Sequence, residues 1–408
     1  MTEPSIVVDR LRLLGVQGAN KVMAGELSRL AGRALTGAPL ERFRAAAPQK
    51  LGPGALAYPF DAEVARLAVS YHRTSARVLW DLYESSATRL EPLYAELVEA
   101  VARDARPWAF NGAKISVHAF APRSVAAGER QVVGTVKNAL IDGAARRGVR
   151  LDVSPEAADI ELHARSHVAP DGTPRLTVSI DLAGRPMHQR GYRTEAGEAP
   201  LREDLAALLV MLSRYDARRE ALVDPMAGSG TIVIEAACMA RARPVWQSGR
   251  TPKAERLPAL GAEFTRKTSP LFSDTKPVLF ASEVDEETFR TLQRAVRTAG
   301  VEPDVTAKRA DFRSIDPRLV RAEIQKHGLE GGVVLSNPPW GERLARGDGE
   351  LRRLYRDLGA WCHELGSSFR FGFIVSNPEF PACFGGRPRV EKPLSSGPLR
   401  ATFYLYEP

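Results

Sequence analysis

The chain has 408 residues, 44% of them hydrophobic and 26% charged, enough to bury more than one core and long enough for about two or three domains. Lys and Arg outnumber Asp and Glu by 57 to 49, and the formal net charge of +8 points to a polyanionic partner. No apolar stretch approaches the roughly 20 residues needed to span a bilayer and no signal-peptide pattern opens the chain, so a cytoplasmic protein without a membrane partner is expected. Cys238, Cys362 and Cys383 are too far apart for a disulfide framework or a zinc site, and the dispersed histidines form no ligand pattern, so no metal is expected.

In chain order, residues 1–59 pair an apolar helix-like stretch, Ala24 to Leu35, with a Pro/Gly-rich run around Leu51-Gly-Pro-Gly54. From Glu84 to Ala102 the spacing is helical. Lys114-Ile-Ser-Val-His-Ala-Phe120 alternates as a strand, and Gln131 to Ala145 has helical spacing with Lys137 outward. Asp159-Ile-Glu-Leu-His-Ala-Arg165 and Leu176-Thr-Val-Ser-Ile-Asp181 alternate again. From Arg106 to Arg150, eight basic residues (Arg106, Lys114, Arg123, Arg130, Lys137, Arg146, Arg147 and Arg150) stand against two acids, Glu129 and Asp142, a basic cover suited to phosphate contacts.

The turn Gly184-Arg-Pro186 reads as a hinge. A short apolar strand, Ala221 to Val223, then ends in Asp224-Pro-Met-Ala-Gly-Ser-Gly-Thr231, which opens a helical pattern to Ala240. Ala242 to Pro277 is a low-periodicity insertion whose basic residues (Arg243, Arg250, Lys253, Arg256, Arg266, Lys267, Lys276) interleave with Trp246 and Phe264. It suits either RNA contact or a solvated loop. Strands follow at Val278 to Ser282, ending at Glu283, at Val305 to Lys308, and at Val333 to Leu335. A helix from Glu350 to Glu364, a strand from Phe371 to Val375 and a last strand pair around Arg387 to Lys392 and Ala401 to Tyr406 complete the pattern.

Two segments carry chemistry. The glycines after Asp224 let a ligand approach the backbone closely, and the following helix N-terminus favours a negative group such as a carboxylate. Val233 stands where a dinucleotide fingerprint needs its third glycine, and Ser229-Gly230-Thr231 stands where a P-loop needs Gly-Lys-Ser/Thr. Neither pyrophosphate nor triphosphate is therefore the natural guest. The second segment is Asn337-Pro338-Pro339-Trp340. Its prolines fix two φ angles and push Asn337 out of the helical region, leaving turn carbonyls free to accept hydrogen bonds. The Asn337 side-chain oxygen and the Pro338 carbonyl can take both protons of an exocyclic base amine while Trp340 offers a face for stacking. An amine so positioned needs proximity and orientation rather than a strong general base.

These segments, with His188-Gln-Arg-Gly-Tyr-Arg193 and the following Ala199-Pro200-Leu201, resemble the THUMP-domain, class I S-adenosylmethionine-dependent RNA guanine-N2 methyltransferases, in the family's order and over most of the chain. Within that group the chain is most similar to the enzymes of bacterial large-subunit (23S) ribosomal RNA. The resemblance implies an α/β fold: a class I (Rossmann-like) methyltransferase domain with a seven-stranded sheet at 185–408, an α+β THUMP RNA-binding domain at 60–184, and a ferredoxin-like N-terminal segment at 1–59. It implies S-adenosylmethionine as cofactor, with Asp224, Gly228 and Gly230 facing its methionine part and Met226, Ser229 and Thr231 nearby. Glu283 would bind the ribose hydroxyls, with Asp285 competing for that role or Glu283 serving only as a helix cap; Asp311 and Phe312 would meet the adenine, with a capping role again competing. The cofactor set also includes Asn337, which heads the catalytic group Asn337, Pro338, Pro339 and Trp340. The chain departs from the family at Ala227, where Cys is usual, at Trp340, where Tyr is commonest, and at Ser395-Ser396-Gly397-Pro398-Leu399, which puts substrate fit in doubt.

The expected activity is methyl transfer to N2 of a guanine in ribosomal RNA, with transfer RNA second. The same Asn-Pro-Pro-aromatic turn also serves DNA adenine and protein glutamine methylation, and a non-catalytic RNA-binding assembly protein stays open.

Overall fold

A computed structural model describes residues 6–121, 123–169, 171–193, 201–246, 251–260, 275–340 and 348–407. The chain divides into two compact units, one from described residues 6–14, 23–187 and 251–260, the other from 15–22, 188–246, 275–340 and 348–407.

In the first unit the order is β1 (Val7–Gly15), α1 (Asn20–Ala34), α2 (Gly37–Ala45), β2 (Gln49–Gly52), β3 (Ala55–Pro59), α3 (Ala62–Tyr71), β4 (Ser75–Ser85) and α4 (Leu90–Arg103). There follow β5 (Ala113–Phe120), α5 (Glu129–Arg146), β6 (Leu151–Val153), β7 (Ile160–Val168) and β8 (Pro174–Asp181). One eight-stranded sheet of order β2-β3-β1-β4-β8-β7-β5-β6 runs through it, so the expected boundary at residues 59/60 falls between strands of a single sheet. Alternation explains its two faces: Leu162, Ala164, Val178 and Ile180 are buried on one side, while Arg165, Thr177 and Ser179 point to the other. Helices α4 and α5 pack so closely that a Cβ on Gly143 would lie 2.6 Å from Val101 Cβ.

Three expectations change here. Glu84 does not begin a helix; it is the penultimate residue of β4, where its carboxylate meets Arg10 and Arg175, and the helix starts at Leu90. The basic cover is partly spent inside the protein, because Arg106 binds Asp104 and Asp9 and lies over the Trp80 ring, Arg146 pairs with Glu99, and Arg150 pairs with Asp152. The insertion does not form a free loop over residues 251–260: Ala254 N–H donates to the Leu182 carbonyl at 2.8 Å, and Arg256 pairs with Asp159. At the turn expected as a hinge, Asp181 accepts the Gly184 N–H at 3.1 Å, and the division between the two units falls just beyond it, after Met187. The insertion's Arg250, Phe264, Arg266 and Lys267 lie outside the described residues.

The second unit runs α6 (Glu203–Leu212), β9 (Ala221–Asp224), α7 (Thr231–Ala240), β10 (Val278–Glu283), α8 (Glu286–Thr298), β11 (Val305–Arg309), α9 (Pro317–Lys326) and β12 (Gly332–Ser336). It ends with α10 (Asp348–Leu365), β13 (Phe369–Val375), α11 (Phe380–Phe384), β14 (Val390–Ser396) and β15 (Leu399–Tyr406). Its seven strands have the order β11-β10-β9-β12-β13-β15-β14; the first five are parallel, and the β14–β15 hairpin joins antiparallel at β13. Covered on both faces, β9 and β12 are buried throughout, which is why they read as unbroken apolar runs. Behind β13 an aromatic layer of Tyr355, Phe369, Phe373, Phe380 and Phe384 forms the core, each fully buried ring contributing about 1.5–3 kcal/mol. The sheet order reverses at β9, so the carboxyl ends of β9, β10 and β12 open one crevice at a switch point, the usual ligand position in such folds.

Candidate active site

The crevice is built by three strand ends. β9 delivers Asp224, whose Oδ1 accepts from the Ser336 hydroxyl at 2.6 Å and the Met226 N–H at 3.3 Å. Ser336 is the last residue of β12, so this bond fixes the backbone immediately before Asn337. Burial raises the Asp224 pKa from 3.8 to about 7; the two donors oppose that rise and the neighbouring Glu283 adds to it. A carboxyl in this state is poised to ionise when a cation is placed beside it.

After Asp224 the chain turns through Gly228 and Gly230, at φ +54° and +81°. No atom lies within 4 Å of where a Gly228 Cβ would stand, which leaves that backbone open to a ligand, whereas at Gly230 a Cβ would sit 3.0 Å from Leu292. Glu283 from β10 is joined to this turn: its Oε2 accepts from Gly228 N–H at 2.9 Å and its Oε1 from Asp285 N–H at 3.0 Å. Asp285, the competitor for the ribose role, is the N-cap of α8, accepting from Thr288 N–H at 2.8 Å, so the capping function falls to it and not to Glu283.

Asp311 follows β11 and does cap a turn, accepting from Arg313 N–H at 2.9 Å. The Arg313 guanidinium also grips both its oxygens and holds its pKa below the ordinary carboxylate value. The Phe312 ring is 2% exposed and packs edge-on against Trp361. Its ring is thus core, and any role at the expected adenine position belongs to the turn it anchors.

At β12 the Oδ1 of Asn337 is buried with no hydrogen-bond partner, and the Pro338 carbonyl has none among the described residues. The Pro339 carbonyl, expected to be free, is taken by the Tyr355 hydroxyl at 2.6 Å. Trp340 is half-buried and its indole N–H donates to the Ile374 carbonyl at 3.1 Å, fixing the ring on β13. Two acceptors therefore remain for a ligand, on a turn immobilised from both sides. A buried acceptor left unpaired costs about 1–3 kcal/mol, a cost that a ligand donor removes.

Behind the glycine turn lies a polar cluster that sequence reading placed only as part of a motif. Arg193 donates to the Thr231 hydroxyl at 2.9 Å and to the Leu201 carbonyl at 3.1 Å, with Glu203 at 3.5 Å; Tyr192 donates to Glu235 at 3.1 Å. Burial raises the Glu203 pKa to about 7. Ala199-Pro200 of the motif, and the Gly341-Glu342-Arg343 that follows Trp340, lie outside the described residues. Ser336 and Tyr355 were missed altogether, since nothing local in the sequence marks a hydroxyl whose partner is 112 residues away, as for Ser336, or one on the next helix that reaches back 16 residues to the turn, as for Tyr355.

The family description UPF0020, RMKL-like methyltransferase domain, matches residues 190–404, just over half of the chain. The chain belongs to this family. It is 33% identical over 273 residues to the ribosomal RNA large subunit methyltransferase K/L of Aliivibrio fischeri, covering 65% of this chain and 37% of the relative. It is 30% identical over 352 residues to the protein of the same name from Syntrophotalea carbinolica, covering 83% of this chain and 47% of that one. The chain thus spans less than half the length of these RMKL-like relatives. Among solved structures, SMU.472, crystallised complexed with SAH, superposes with a TM-score of 0.77 at 22% identity over 98% of both chains, a likeness of fold.

Proposed function

We propose that this RMKL-like chain is an S-adenosylmethionine-dependent RNA methyltransferase acting on the exocyclic N2 of a guanine in large-subunit ribosomal RNA. The buried, unpartnered Oδ1 of Asn337 carries the reading, because it needs a donor and sits one residue from the Ser336–Asp224 bond. The relatives' name favours ribosomal over transfer RNA as substrate.

The residues present fit the cofactor. The buried Asp224 carboxyl suits an ammonium, the open backbone at Gly228 with Met226, Ser229, Gly230 and Thr231 suits the remainder of an amino-acid group, and Glu283 suits vicinal hydroxyls. Asp311 would accept from the adenine amine, held in place by Phe312 beneath it. When bound, S-adenosylmethionine supplies an electrophilic methyl group on its sulfonium.

Everything else is done by the turn after β12. Asn337 Oδ1 and the Pro338 carbonyl accept the two amine protons and so aim the nitrogen lone pair, while the tethered Trp340 ring supports the base plane. The nitrogen keeps its protons until the new N–C bond forms, then loses one to water, so no strong base is required. A base inside a duplex cannot reach this crevice, which restricts the target to an unpaired or flipped-out guanine.

On this reading residues 60–184 are a THUMP domain that sets register on the RNA, preceded by a ferredoxin-like segment at 1–59, and 185–408 are the catalytic domain of a cytoplasmic enzyme. The β5-α5-β6-β7-β8 order supports the THUMP part of this reading, and the sheet of that part continues into residues 1–59 through β1, β2 and β3. Transcripts in which inosine replaces guanosine lack the 2-amino group and provide the test. They should accept no methyl; labelling equal to that of the guanosine transcript would overturn the N2 assignment.

A further inference from the structure

One face of the eight-stranded sheet is polar. Across it the register aligns His118 with His163 and Ser179, Phe120 with Arg165 and Thr177, and His167 with Arg175. Further along, Asp81 lies opposite Ser179 and Glu84 opposite Thr177. Arginines populate this face, and nearly all have carboxylates: Arg12 binds Asp81 at 2.9 Å, Arg77 binds Asp181, Arg10 binds Glu84, and Arg175 binds Glu84 at 2.9 Å.

Arg165 differs. Among the described residues it has no carboxylate partner; its Nε is buried without a hydrogen bond, as are those of Arg10 and Arg175, but those two have carboxylates on their other nitrogens. Its guanidinium carbon lies 4.9 Å from the centroid of the Phe120 ring, which props the group from one side. Thr177, directly opposite on β8, is held by Arg12 at 3.2 Å, so a second guanidinium points into the same part of the face. Burial and the nearby Arg12 and Arg77 cations pull the Arg165 pKa below its ordinary value. His163 adds no charge, because burial lowers its pKa to about 3.

A half-buried, unpaired cation among other cations is costly, and such a group is retained where a ligand neutralises it. The uncompensated charge is single, because Arg12 and Arg77 are matched by Asp81 and Asp181, and Arg10 and Arg175 by Glu84 and Asp171. One monovalent anion balances it, and a planar guanidinium fork suits the two free oxygens of a phosphodiester.

We propose that Arg165, propped by Phe120 and flanked by Arg12 and Arg77, is a binding site for one backbone phosphate of the substrate RNA. The inference rests on the RNA reading above and adds a site in the first unit, outside the basic 106–150 stretch that the sequence singles out.

The test compares the full-length wild type with Arg165→Gln and Arg165→Lys. Binding of deproteinised large-subunit ribosomal RNA is measured across a salt series, with S-adenosylmethionine affinity and thermal unfolding measured alongside. Arg165→Gln should weaken RNA binding by about tenfold or more and flatten the slope of log affinity against log salt by about 0.7–0.9, the value for one phosphate contact. The free protein should melt at a higher temperature, since the unpaired cation is gone, and cofactor affinity should not change. Arg165→Lys should keep the salt slope. Wild-type RNA affinity and slope in Arg165→Gln would overturn the site while leaving the RNA reading intact, as would weaker RNA binding accompanied by a lower melting temperature. A wild type that binds no RNA at any salt would overturn the RNA reading, and the site with it.

Discussion

Replacing Asp224 by Asn should stabilise the free protein at neutral to alkaline pH and at the same time weaken cofactor binding. The Asp224 carboxyl is buried with Ser336 and Met226 N–H as its donors, and burial moves its pKa from 3.8 to about 7. The folded protein therefore holds that proton more tightly than the unfolded chain does. Its contribution is neutral below about pH 4, becomes destabilising as pH rises towards about 7, and stays so above, with a ceiling of about 4 kcal/mol. Asn keeps the shape and an accepting oxygen for both donors but has no charge to bury. Urea unfolding followed by tryptophan fluorescence should give similar stabilities for the two proteins near pH 4, and a gap opening in favour of the variant by about pH 8. Glu203 and Asp181 are also raised by burial and titrate in the wild type, so the difference between the two proteins, not either profile alone, isolates Asp224. Calorimetry should show S-adenosylmethionine bound roughly 10–100-fold more weakly, the loss of one charged hydrogen bond. Parallel pH profiles, or wild-type cofactor affinity in the variant, would refute the reasoning.

Other outcomes follow from the same geometry. Asn337→Ala should leave cofactor affinity nearly intact while single-turnover methyl transfer falls at least about a hundredfold, since it removes the unpaired acceptor aimed at the amine; normal turnover would sink the mechanism. Glu283→Gln should weaken cofactor binding, as the carboxylate that joins the glycine turn to β10 loses its charge, and calorimetry giving an unchanged constant would remove the ribose assignment. Gly143→Ala should cost about 1–3 kcal/mol in thermal unfolding without touching cofactor affinity, because its Cβ would press on Val101 between α4 and α5.

What the sequence reveals here depends on how local the determinant is. Strands β9 and β12 are legible because a buried parallel strand must be apolar at every position, and α7 because its glycine turn marks where it starts. The chemistry of Asn337 follows from two prolines that act on their own backbone. By contrast, α2 buries none of its residues, so no apolar period reveals it, and β6 is three residues long. The run from Glu84 has helical spacing, yet ion pairs to strands 74 and 91 residues away keep its first residues in the sheet. Within the site, sequence alone could not separate the roles of Glu283 and Asp285, because the cap on Thr288 N–H is decided by the backbone direction after β10. The Ser336–Asp224 bond, the Tyr355 grip on Pro339 and the Arg193 cluster all depend on contacts that exist only once the sheet has formed.

The central claim is methyl transfer to a guanine amine in RNA. Its most direct test is incubation of the full-length chain with labelled S-adenosylmethionine and total RNA from a strain lacking this gene, followed by separation of RNA size classes and mass spectrometry of the nucleosides. The account predicts labelled N2-methylguanosine in large-subunit ribosomal RNA; label in no nucleoside of any fraction, from a protein that binds the cofactor, would contradict it.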